Sequence, residues 1–78
     1  MTFIMFTTQW CGYCKRLKRD LNDAGVFFEE VDIEVVTDAA ETVAKVNGGN
    51  HTVPTLLFSD GTAMTNPSVA KVLEKLGS

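Results

Sequence analysis

The sequence predicts an α/β fold, βαβαββα in order, with a four-stranded mixed sheet flanked by three helices. Three observations carry this expectation. An unbroken apolar run of strand length, "TFIMFT", stands near the start. Three later stretches repeat apolar residues at helical spacing, and Asp60-Gly61 divides two short apolar runs as a hairpin turn does. A βαβ unit followed by a ββα unit, without repeats, linkers or low-complexity stretches, is best closed as one covered sheet. Residues 1–78 are expected to form one domain.

Each element has its own signal. The continuous hydrophobicity of "TFIMFT" is that of a strand buried on both faces. Cys14, Leu17, Leu21 and Ala24 then recur on one helix face, and Gly25 suits a C-terminal cap. The cysteines therefore open the first helix. "VFFEEVDI" is rich in β-branched and aromatic residues and reads as a second strand, although its two faces are not cleanly separated. Asp38 with Glu41 has the form of a capping box. The stripe Ala39, Val43 and Val46 behind it ends at Asn47-Gly48-Gly49, which predicts the second helix. "TLLFS" and "TAM" around Asp60-Gly61 predict a two-residue hairpin. The last helix is expected to be capped by Asn66, to begin at Pro67 and to turn Val69, Val72, Leu73 and Leu76 inward.

Composition narrows the function. Seventy-eight residues with 45% hydrophobic content lie near the lower size at which a core sustains a fold without staples. The net charge of -3 argues against a general nucleic-acid binder. Four of the seven basic residues, Lys15, Arg16, Lys18 and Arg19, nevertheless follow Cys14 directly. Lys18 and Arg19 are expected on a solvated helix face. Lys15 and Arg16 either share that face or favour a thiolate or an anionic substrate group at the cysteines. The opening apolar run lacks a basic flank and soon meets polar residues, so neither a signal peptide nor a membrane span is expected. A cytoplasmic protein follows as the expectation.

Cys11 and Cys14 are the chain's only cysteines. A bridge between them would close too small a loop to be an important staple, which favours chemistry over scaffolding. At a strand-to-helix junction the first sulfur meets free backbone N–H groups and the positive end of the helix dipole, and both favour its anion. Cys11 is thus the expected nucleophile, because a thiolate attacks disulfides and a thiol hardly does. Cys14, one turn on and facing inward, suits the resolving role. Zinc is the rival chemistry, but Cys11, Cys14 and His51 are an incomplete donor set for a structural site. An inert pair of core cysteines is the blander alternative. Gly12 allows close approach to the sulfur or simply eases the turn. Tyr13 is expected to offer its ring to a bound thiol, whereas Trp10 either lines the same site or closes the core.

Taken together, "WCGYC" at the first strand-helix junction, "TVP" at 52–54 and the element order resemble the glutaredoxin branch of the thioredoxin superfamily over essentially the whole chain. "VNGGNHTVPT" and "SDGTAMTNPS" resemble, more narrowly, the actinobacterial mycoredoxins. The resemblance implies a thioredoxin fold and a thiol-disulfide oxidoreductase acting on mixed disulfides between proteins and a low-molecular-weight thiol. It implies that Pro54 is a cis proline facing the cysteines, with Thr52 and the Val53 backbone beside the bound thiol. It also implies Thr65 and Asn66 as contacts to that thiol. Glutathione-using relatives typically carry acid here, where this chain has Met64-Thr65-Asn66-Pro67. Mycothiol lacks glutathione's free ammonium, so neutral hydrogen-bonding groups suit it as co-substrate; Asn66 is equally well read as a plain helix cap. No bound cofactor or metal, no nucleic-acid or membrane partner and a monomeric state are expected, and His51 is expected in a surface loop. Two other readings stand beside this one. They are a redoxin fed by thioredoxin reductase that donates to ribonucleotide reductase, and a module holding an iron-sulfur cluster between two chains.

Overall fold

The computed structural model describes residues 1–77. Strands β1 (Phe3–Thr7), β2 (Glu29–Asp32), β3 (Thr55–Phe58) and β4 (Ala63–Thr65) are joined by helices α1 (Gly12–Asp23) and α2 (Ala39–Val46), with α3 (Val69–Gly77) last. The order is βαβαββα, as the sequence predicts. Within the sheet the strands lie β2-β1-β3-β4, with β1 parallel to β2 and the other two pairings antiparallel.

Side-chain alternation sorts the core onto the two faces of this sheet. Phe3 and Met5 of β1, with Leu56 and Phe58 of β3, pack against Cys14, Leu17 and Leu21 of α1 and Val72 of α3. Phe6 points the other way and meets Ala39 and Val43 of α2, with Ile4, Val31 and Leu57 around them. Both faces of β1 are therefore covered, which explains its unbroken hydrophobicity. Met5, Leu21, Leu56 and Val72 are wholly buried, and burying each such side chain contributes about 1.5–3 kcal/mol.

Gly25 caps α1 as expected. The Gly25 N–H donates to the Asn22 carbonyl and the Val26 N–H to the Leu21 carbonyl, with Gly25 at φ +74°. This is the Schellman arrangement, whose left-handed residue is cheapest as glycine. Ala24 itself is exposed at the C-cap rather than inward-facing, because the helix and its buried stripe end before it.

Other expectations are corrected. Residues 26–28 lie outside β2, which pairs only with β1, from Ile4↔Glu29 to Thr7↔Asp32. Being an edge strand, β2 has no two-sided burial to enforce clean faces; Phe28 stacks on Phe3 while Phe27 is 92% exposed. Asp38 makes no side-chain cap among the described residues. Its backbone is already helical (φ -89°, ψ -7°), not in the extended conformation from which a cap reaches back. Val46 lies half out of the core. The hairpin loop has three residues, not two. Phe58 N–H donates to the Thr62 carbonyl and Gly61 N–H to the Phe58 carbonyl, leaving Ser59, Asp60 and Gly61 to turn the chain with Gly61 at φ +90°. The last helix begins at Val69, and Ser68 caps it through its Oγ, which accepts from the Lys71 N–H at 3.3 Å. Asn66 cannot play that part, because it sits at φ +46° in the preceding bend. Leu73 is 43% exposed rather than inward.

Candidate active site

The site forms where β1 gives way to α1. Cys11 is the N-cap of α1, with extended backbone (φ -82°, ψ 107°), and its Sγ accepts the Cys14 N–H at 3.1 Å. The sulfur thus occupies the place a serine or aspartate oxygen takes at other helix starts. Cys11 and Cys14 are joined as a disulfide with Cα atoms 5.2 Å apart. Both are buried, and Cys14 is part of the packing under α1.

Around the pair the protein is open. Gly12 is exposed, and a Cβ placed on it would meet no described atom within 4 Å. Tyr13 is 65% exposed and Trp10 is 71% exposed. Trp10 is therefore a surface residue and not a core one. Its Nε1–H donates to Glu34 Oε1 at 3.1 Å, which ties the ring to the segment after β2.

Facing Cys11 is the loop before β3. The Val53–Pro54 peptide bond is cis, as the resemblance implies, and the Val53 carbonyl oxygen lies 3.7 Å from Cys11 Sγ. Pro54 is buried, and its carbonyl accepts the Asn66 N–H at 2.7 Å. From Thr55 the chain runs into the inside of the sheet, where Thr55 pairs with Phe6 on one side and Thr65 on the other.

The structure brings Thr52, Val53, Pro54, Thr65 and Asn66 into one neighbourhood. Thr65 Oγ1 donates to Asn47 Oδ1 at 2.7 Å, so its hydroxyl hydrogen is already used within the protein. A groove of about 500 Å³ runs between α1 and α3, bordered by Tyr13, Arg16, Asp20, Asn66, Pro67 and Ser68. The segment 64–67 brings no carboxylate to it, but α1 does, through Asp20, whose carboxylate lies 3.8 Å from the Arg19 guanidinium.

The two basic residues nearest the cysteines diverge. Arg16 borders this groove, whereas Lys15 borders a separate depression of about 330 Å³ beside Thr8, Cys14 and Glu30. Lys18 is more than a solvated charge. Its Nζ donates to both Glu30 oxygens at 3.2 and 3.3 Å, and Glu30 also accepts the Thr7 hydroxyl at 2.9 Å. Thr8 Oγ1, beneath this network, is buried with no hydrogen-bond partner among the described residues. His51 is exposed, as a loop residue should be. Among the described residues no group of three or more His, Cys, Asp or Glu side chains is placed to hold a metal ion. None of their helices is long and apolar enough to cross a membrane.

Comparison with known proteins now adds to the geometry. Residues 3–63 match the family model described as Glutaredoxin. The chain belongs to the glutaredoxin family. Over 72 residues, 92% of its length, it is 54% identical to a Mycobacterium tuberculosis protein named as a glutaredoxin, covering 86% of that protein. Over the same share it is 40% identical to Mycoredoxin 1 of Corynebacterium glutamicum, covering 89% of it. Among solved structures, the methanoredoxin of Methanosarcina acetivorans matches 99% of the chain and 85% of its own, with TM-score 0.85 and 27% identity. The glutaredoxin of Methanosarcina mazei matches 99% and 79%, with TM-score 0.84 and 28% identity. The fold is the thioredoxin fold, and the protein is a glutaredoxin-like thiol-disulfide oxidoreductase resembling the actinobacterial mycoredoxins.

Sequence reasoning missed Asn47, Thr55 and the Lys18–Glu30 pair. Asn47 looks like part of a helix stop, and only the tertiary arrangement reveals what its side chain reaches. Thr55, directly after Pro54, carried the clearest available signal: a buried hydroxyl in a strand must find a partner.

Proposed function

We propose that the protein reduces mixed disulfides between proteins and a low-molecular-weight thiol, with mycothiol as that thiol. The observation that carries the proposal is the setting of Cys11 Sγ. It caps α1 at the Cys14 N–H, 3.1 Å away, and faces the Val53 carbonyl across 3.7 Å. A sulfur so placed has a helix N-terminus to hold its negative charge and a backbone edge beside it to align a peptide-like thiol.

In this reading the Cys11 thiolate attacks the small thiol's sulfur. A Cys11–small-thiol disulfide forms, the bond to the protein sulfur breaks, and the departing protein thiolate takes a proton from solvent. The linked Cys11 is then cleared in one of two ways. A second small thiol, as its thiolate, attacks the linked sulfur, yielding the oxidised small-thiol dimer and the Cys11 thiolate. Otherwise Cys14, after losing its proton, attacks Cys11 Sγ, expels the small thiol and leaves the Cys11–Cys14 disulfide seen here. Gly12 leaves the approach to the sulfur open, Tyr13 and Trp10 flank it, and Thr52, Val53 and Pro54 form the opposite wall. Asn66 offers its amide to the polar end of the ligand, and Thr65, its hydrogen engaged by Asn47, offers only lone pairs. All these groups come from one chain, so the reading is that of a monomer, working in the reducing cytoplasm with protein mixed disulfides as clients.

The 40% identity to Mycoredoxin 1 supports mycothiol, as do the neutral side chains of Thr65 and Asn66. Turnover of a mixed-disulfide peptide with mycothiol and with glutathione, at equal thiol concentration, tests the choice. Faster turnover with mycothiol is expected; equal rates would return the protein to a generic glutaredoxin. Asn66→Asp should improve use of glutathione, because a carboxylate can pair with its ammonium.

A further inference from the structure

One side chain with no part in the sulfur chemistry links the loop that faces Cys11 to β3 and β4. Asn47, the C-cap of α2, accepts the Thr65 hydroxyl on Oδ1 at 2.7 Å. Its Nδ2 donates to Thr55 Oγ1 at 2.8 Å and to the Thr52 carbonyl at 3.4 Å. Thr55 Oγ1 in turn donates to the same Thr52 carbonyl at 2.7 Å. The hydrogen bonds therefore run in one direction, from Thr65 through Asn47 and Thr55 to the Thr52 carbonyl. Chains so aligned reinforce each other where water is scarce, and Thr55 is wholly buried.

The chain demands a primary amide. Thr55 spends its only hydrogen on Thr52, so its other neighbour must donate; Thr65 donates, so that same neighbour must accept. Aspartate would accept from Thr65 but would set a carboxylate against the Thr52 carbonyl and the Thr55 lone pairs. The Thr52 carbonyl is held one residue before Val53, whose own carbonyl lies 3.7 Å from Cys11 Sγ. On the far side of the cis bond, the Pro54 carbonyl is held by the Asn66 N–H at 2.7 Å.

We infer that Asn47 is a positioning residue for substrate: through Thr52 it sets the 52–54 loop at the distance from Cys11 at which the Val53 backbone meets the bound small thiol. The inference rests on the proposed mixed-disulfide reading for the identity of that ligand. Backbone contacts made equally to substrate and transition state change KM and leave kcat nearly untouched.

The test is steady-state kinetics on a peptide–mycothiol mixed disulfide, together with amide hydrogen exchange at Asn66. Asn47→Ala should raise KM about tenfold, the effect of losing roughly one well-made buried hydrogen bond, without a comparable fall in kcat. It should also speed exchange of the Asn66 amide. Asn47→Asp should be at least as impaired. Thr55→Val should raise KM, and Thr55→Ser, which keeps the hydroxyl, should hold it near the wild-type value. Adding Thr55→Val to Asn47→Ala should bring less than the sum of the two single losses, because Asn47 acts largely through Thr55. A fall in kcat at unchanged KM would mark Asn47 as merely structural and overturn the inference, as would fully additive effects of Asn47→Ala and Thr55→Val. A wild-type protein inactive on the mixed disulfide would sink the functional reading instead. Unchanged Asn66 exchange in Asn47→Ala would then still overturn the tether.

Discussion

The Cys14 N–H donates to Cys11 Sγ at 3.1 Å, so the backbone of the proposed resolving cysteine caps the sulfur of the proposed nucleophile. In the reduced protein the same amide faces a thiolate, and a charge-assisted bond is about twice as strong as a neutral one. Cys11 should therefore titrate below a free cysteine, as followed by thiolate absorbance against pH. Titration like a free cysteine would leave no basis for naming Cys11 the nucleophile.

The unequal places of the two sulfurs predict unequal variants. Cys11→Ser should abolish activity on every substrate. Cys14→Ser should still reduce protein mixed disulfides and accumulate Cys11 linked to the small thiol, visible by intact mass. It should fail on ordinary protein disulfides, whose release needs a tethered second thiol. A folded Cys14→Ser protein dead toward mixed disulfides would point instead to a dithiol donor.

Gly12 is the first residue of α1, where the backbone N–H has no partner within the helix and proline fits. Proline also requires extended backbone in the residue before it, and Cys11 has it at φ -82°, ψ 107°. No described atom within 4 Å opposes a Cβ there. Gly12→Pro should stabilise the oxidised protein by about 0.4–1 kcal/mol through the unfolded chain. Urea unfolding checks this, and a lowered midpoint would refute it.

Asp60 ties the hairpin to α3. The Lys75 ammonium 2.8 Å away, with the Thr62 hydroxyl and N–H, holds its carboxyl well below the usual carboxylate range. A carboxyl depressed in the folded state contributes stability above its unfolded pKa, near about 4, and loses it as pH falls toward the folded value. Asp60→Asn should therefore be less stable than wild type at pH 7, and the gap should close on acidification below the ordinary carboxylate range. Urea midpoints measured across that range decide it; a gap independent of pH would show that the charge is irrelevant.

Fold and cysteines were legible because their signals are local. β1 announces its burial on both faces by unbroken hydrophobicity, and a Cys-x-x-Cys at a helix start carries its chemistry in its spacing. Asp38 and Asn66 misled because cap propensity says nothing of the φ and ψ that the preceding turn imposes. Phe27 and Leu73 look like core by type, and only the sheet's edge and the width of the helix's buried stripe reveal their exposure. Asn47 was beyond reach for a different reason. Its partners lie on a loop and two strands, and no pattern within "VNGGN" names them.

The place of β1 inside the sheet also sets the timetable of synthesis. The strand leading to the cysteines is made well before its inner partner, since Ile4 pairs with Leu57. Until residues 55–58 have left the ribosome, β1 lacks one of its two neighbours, and the apolar surface of β1 and α1 lacks its cover of Leu56, Phe58 and Val72. Such long-range pairing delays closure until β3 and α3 have been made. The nascent chain therefore exposes both thiols before it has a fold to bury them.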